Sequence, residues 1–137
     1  MHFVALLCAG IFTGAAVYIS LVQQPAARQA GVAGRLFPAM YARAAPLQAS
    51  MAMIGAVSGL TAGVTGSSGG ASILGALVLF AVVPYTLIRI QPVNDELNDP
   101  NRDPDASDTL ELLERWNRMH HLRSIAGAVA FLCYLVG

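Results

Sequence analysis

The sequence predicts an all-α protein, a four-helix transmembrane bundle running up-down-up-down with a short interfacial segment after the first helix. Three observations predict it. Charged residues make up only 12% of the 137 positions, against about 25% in an ordinary soluble domain, too little polar surface to dissolve a globule of this size. Charge-free runs long enough to cross a bilayer recur along the chain. The charges that do occur are segregated: all eight acids fall between Asp95 and Glu114, and all eight basic residues are Arg. The length fits one domain, residues 1–137, and a net charge of zero leaves no basic footprint for nucleic acid.

The first span is about 3–22. Phe3 to Val22 carry no charge over 20 positions, and at about 1.5 Å per residue they match a hydrocarbon core of roughly 30 Å. A cleaved leader would need a basic start and a shorter apolar run, so a spanning helix is expected. Residues 23–46 mix Pro25, Pro38 and Pro46 with Arg28, Arg35 and Arg43, a composition expected of a re-entrant or amphipathic piece at the headgroups.

From Ala44 to Ile88 no charge occurs, too long a stretch for one span. The "GSSGG" cluster, Gly66 to Gly70, divides it, giving spans at about 47–65 and 71–88. Pro84 is expected to kink the latter and free a carbonyl that Thr86, Tyr85 or a neighbouring helix satisfies. Residues 89–115 read as a polar, acidic loop. Asp108 followed by Glu111 fits the start of a last helix, which crosses at about 116–136. The two Arg-bearing loops, 23–46 and 89–115, then share one side, and the positive-inside rule makes that side cytoplasmic. Both termini are expected on the non-cytoplasmic side of an inner or plasma membrane.

Gly55, Gly59 and Gly63 recur every four residues, as do Gly10 and Gly14. Small residues at that spacing let helices approach closely in lipid, within one bundle or between copies in a homo-oligomer. Cys8 and Cys133 lie in apolar runs without a paired-cysteine metal motif, and both are expected to be small buried hydrophobes.

Candidate chemistry concentrates at the mouth of the last span. Ser124 to Gly137 is only 14 residues, so a crossing helix must draw residues from about Trp116 or Met119 into or beside the hydrocarbon. Ionisable groups at that depth usually face the bundle interior. Trp116, His120 and Arg123 are spaced i, i+4, i+7 and so share one helical face, with Asn94 just beyond the third span on the same side. An imidazole, a fixed cation, an amide and an aromatic wall could together take a proton from a phenol or acidic carbon and hold the resulting anion. For Trp116 alone, interfacial anchoring is the expected role. Arg115 and Arg118 are expected to contact lipid headgroups or pair with Glu111 and Glu114 across a turn. His121 points about 100° from His120, and no metal site is expected.

Together "PVNDEL", a variable acidic loop, and "WNRMHHLR" leading into a last apolar helix resemble the anthrone oxygenase-like family of small four-span membrane proteins. The family motif is an Asn after the third span followed by W-x-x-x-H-x-x-R, which Asn94, Trp116, His120 and Arg123 match in turn. Gly14, Tyr18 and Pro25 look like its opening segment. The resemblance implies oxidation of a lipophilic phenolic or anthrone-like aromatic, in polyketide chemistry, with dioxygen as co-substrate and no recognised organic cofactor. The expected partners are the lipid bilayer and a lipophilic small molecule. Two other readings stand beside it: a non-catalytic binding or scaffold protein that oligomerises through its Gly faces, and a small-molecule or lipid carrier with a laterally opening cavity.

Overall fold

Residues 1–66 and 69–137 are described by a computed structural model, all helical apart from short connections. Four helices are long and apolar enough to cross a membrane: α1 (His2–Gln29), α2 (Ala33–Val64), α3 (Gly69–Leu97) and α4 (Ser107–Val136). Each packs on its sequence neighbours and α4 closes on α1, while the diagonal α2–α4 contact is much smaller. The result is an integral-membrane bundle in which consecutive helices alternate in direction.

The helices run well past the expected spans, and this corrects the reading of residues 23–46 and 89–115. Helix continues to Gln29 and resumes at Ala33, and α3 continues to Leu97. A proline in each of these stretches is absorbed by a π-helical turn, Ile19–Gln23 before Pro25 and Thr86–Ile90 before Pro92. In each, the last N–H before the proline reaches back five residues, Gln24 to the Ile19 carbonyl and Gln91 to that of Thr86. The wider turn accommodates a residue that cannot donate. Pro38 and Pro46 lie inside α2 but on its exposed side. Near Pro84, the Thr86 hydroxyl donates to the Val82 carbonyl at 2.8 Å and Tyr85 donates across to the Met119 carbonyl at 3.3 Å.

These extensions build a second layer of core at one end of the bundle, where Phe37, Met40, Ile90, Val93, Leu113 and Trp116 pack together. Above them the membrane core proper is made of small residues around Phe12, Leu79 and Tyr134. Gly55 and Gly59 face inward: Gly55 lies against Leu79 and Cys8, and Gly59 against the Tyr134 ring. The stripe therefore closes helices of one chain on each other. Gly14, by contrast, is exposed with nothing within 4 Å of where a side chain would begin. Gly66 and Gly69 both have positive φ, 75° and 60°, a conformation that favours glycine and turns the chain between α2 and α3. Ser67 and Ser68 of that "GSSGG" turn lie outside the described residues. Cys8 is buried, Cys133 half-buried, and both thiols are free.

The two short connections, 30–32 and 98–106, lie at the same end and are tied by charge. Arg28 pairs with Glu114, and Arg35 with Asp105. Arg102 joins Glu96 and Asp108 at 3.4 and 2.9 Å. The expected turn-to-turn pairing of Glu114 with Arg118 gives way to the partner on α1. Asp108 does not cap α4 either. The helix opens at Ser107 with no side-chain cap, and Asp108, one residue inside, spends its carboxylate on the Thr109 N–H and on Arg102.

Candidate functional site

The site lies between the middle of the bundle and its connection-bearing end. Counting along α4 at about 1.5 Å per residue puts His120 roughly 20 Å inside from Ser107. Trp116 and His120 are one turn apart on the inner face, 3% and 1% exposed, and their rings stack with centroids 4.6 Å apart at 22°. Phe37 from α2 meets Trp116 edge-on at 5.1 Å.

Trp116 is therefore no interfacial anchor. Its indole N–H donates to the Asn94 Oδ1 at 2.7 Å in a fully buried bond. A buried indole needs an acceptor, and the helical extension of α3 past its π turn supplies one. Asn94 in turn donates to the Gln91 Oε1 at 3.4 Å, which also accepts from the Tyr41 hydroxyl at 3.2 Å. Trp116→Phe should keep the aromatic stack but leave the Asn94 oxygen buried and unpaired. The expected loss is about 1–3 kcal/mol of stability, read as a lowered thermal midpoint in detergent or nanodiscs.

Arg123, the third member of the face, donates to the Gln48 Oε1 at 2.8 Å and lies 5.6 Å from the Phe12 ring centroid. Its Nε is buried without a hydrogen-bond partner, and among the described residues no carboxylate pairs with it. A guanidinium held this way inside a bundle is a positive charge lacking its anion. His120 meets α1: its Nδ1 lies 2.9 Å from the Ser20 hydroxyl.

All four residues singled out from the sequence line one small space of about 20 Å³, room for roughly one water. Beside it lies a cavity of about 220 Å³ between α2 and α3. The two share Tyr41, Ala45, Gln48, Asn94 and Arg123 as walls. Apart from Thr86 and Gln91 the rest of the larger cavity's lining is apolar, and it includes Met53 and Leu87, which are 43% and 62% exposed on the outer surface of the bundle. The larger cavity thus runs from the outer surface of the bundle to Arg123, while His120 lines only the smaller space.

His121 stands apart, half-buried, with Nδ1 2.7 Å from the Asn117 carbonyl. Arg115 and Arg118 are exposed. Among the described residues no three His, Cys, Asp or Glu side chains converge. Sequence reasoning missed Ser20, Tyr41, Gln48 and Gln91. Gln48 alone left a signal, as the one amide in the charge-free stretch from Ala44 to Ile88.

Four long apolar helices around a buried imidazole, guanidinium and amide set, with a cavity reaching the outer surface of the bundle, define a small integral-membrane protein with an internal polar site. Residues 37–133 match the family model described as anthrone oxygenase, and the chain belongs to that family. No curated protein and no solved structure matches it.

Proposed function

We propose that this chain oxidises a lipophilic phenolic or anthrone-like aromatic with dioxygen at the site formed by Asn94, Trp116, His120 and Arg123, without an organic cofactor. The observation that carries the reading is the buried Arg123 guanidinium, without a carboxylate partner, sharing one small space with His120 beside a cavity that reaches the outer surface of the bundle. Imidazole is the side chain suited to proton transfer near neutral pH, and a fixed cation in a water-poor cavity stabilises the anion that transfer creates.

The reaction follows from those two groups. A methylene between two aryl rings, conjugated to a carbonyl, loses a proton to His120, and the charge settles on the carbonyl oxygen beside Arg123. The electron-rich anion gives one electron to dioxygen, and the two radicals join through a new C–O bond to form a peroxide. Loss of the second C–H proton with O–O cleavage yields the ketone and water. In sum CH₂ + O₂ becomes C=O + H₂O, the carbon giving up four electrons and dioxygen taking them. The substrate enters from the bilayer, and the Arg-bearing connections face the cytoplasm by the positive-inside rule.

Purified protein in nanodiscs, given anthrone in an oxygen-electrode cell, should consume one dioxygen for each anthraquinone formed, faster than heat-inactivated protein. Equal rates would refute the reading. Arg123→Met keeps a long side chain and removes the charge, and should lower kcat/KM by about 10²-fold. The scaffold reading draws less support, because Gly55 and Gly59 are closed by Leu79 and Tyr134 of the same chain.

A further inference from the structure

His120 carries two ring nitrogens, and only one can act as a base in the neutral ring. Which one is decided by the hydrogen bonds the other makes. Three buried contacts bear on it. The Ser20 Oγ lies 2.9 Å from His120 Nδ1 and 3.2 Å from the Ser124 Oγ. The Ser124 Oγ lies 3.2 Å from the carbonyl of His120. Ser20, Ser124 and His120 are all buried, at 2%, 7% and 1% exposure, so water is a poor substitute for any of these bonds.

Counting protons separates the two tautomers. A carbonyl can only accept, so the contact at the end of the chain takes the Ser124 proton. Ser124 must then accept from Ser20, which leaves Ser20 to accept from the ring. All three contacts are made at once only if Nδ1 carries the hydrogen. With the proton on Nε2 instead, Ser20 must donate to Nδ1, Ser124 has one proton for two acceptors, and one contact goes unmade. No hydrogen bond from the described residues engages Nε2, while the His120 ring lines the small space beside Arg123.

We propose that Ser20 and Ser124 are positioning residues that hold His120 in the tautomer protonated at Nδ1, leaving Nε2 as the basic nitrogen. Ser20 meets α4 from within the π turn Ile19–Gln23, so that turn both absorbs Pro25 and delivers the hydroxyl. The catalytic consequence rests on the reading of His120 as the proton acceptor, but the tautomer itself is measurable without turnover.

The test uses full-length protein in nanodiscs, labelled with ¹⁵N-histidine, in a background where His2 and His121 are replaced by Gln. Protonated and bare ring nitrogens differ widely in ¹⁵N shift, and couplings to the ring protons distinguish Nδ1 from Nε2. One additional buried hydrogen bond predicts a roughly five- to tenfold excess of the Nδ1–H form in the parent. Ser20→Ala should erase that excess, and Ser20→Thr, which keeps the hydroxyl, should restore it. Ser124→Ala should reduce it. An Nε2–H majority in the parent, or a ratio indifferent to Ser20→Ala in correctly folded protein, would overturn the proposal. Absent turnover in every variant would count against the oxidation alone, since the shifts still report the tautomer.

Discussion

His120→Ala is expected to lower turnover of an anthrone-type substrate by about 10²–10⁴-fold, the usual contribution of a positioned general base, while the protein still folds and inserts. The site holds one imidazole, and its neighbours are amides, hydroxyls and a guanidinium. Loss of the ring leaves no side chain there that accepts a proton readily at neutral pH. The Arg123–Gln48 and Trp116–Asn94 bonds do not pass through His120, so the cavity and its cation should survive. Substrate binding should therefore fall far less than turnover, a split visible as a collapsed kcat with KM little changed. Size-exclusion profile and helical circular dichroism serve as controls. Turnover by the variant at the parent's rate would remove His120 from the mechanism.

Gly59→Leu should be the most damaging substitution in the membrane core, and for a reason internal to one chain. A side chain beginning at Gly59 would run directly into the Tyr134 ring and hydroxyl. Tyr134 is completely buried and donates to the Gly55 carbonyl at 3.1 Å, so it has nowhere to retreat without giving up that bond. Overpacking of this kind costs about 1–3 kcal/mol and sometimes more. The measurement is the thermal midpoint together with the fraction recovered as a single species from detergent. Tyr134→Ala in the same chain should recover part of the loss, because the two positions occupy the same space and their effects cannot add. A Gly59→Leu protein with the parent's thermal midpoint that fails only to associate with other copies would favour the scaffold reading.

Much of this was legible beforehand. Segregation of Arg and acid to the ends of apolar runs placed the two polar connections on the same side of the bundle, and the Arg28–Glu114 and Arg35–Asp105 pairs join those ends. The i, i+4, i+7 spacing put Trp116, His120 and Arg123 on one face, which needs only a regular helix. Proline was the weak point. Pro25 was read as part of a re-entrant or amphipathic piece and the stretch that holds Pro92 as a loop, yet each proline follows a π turn whose hydrogen bonds are shifted by one residue. Whether a proline ends a helix or is carried through it depends on what packs around the altered turn, and no local pattern states that.

Periodicity and composition alone determined four spans, one polar end and the helical face that carries the imidazole and guanidinium, because those follow from the solvent preference of each segment and the geometry of a single helix. Only the tertiary structure decided that Trp116 turns inward to Asn94, that Gln48 rather than a carboxylate meets Arg123, and that Ser20 meets His120 100 residues away in the chain. Each of these joins side chains on different helices, and a buried hydrogen-bonding group can be matched to its partner only once the helices have been packed together.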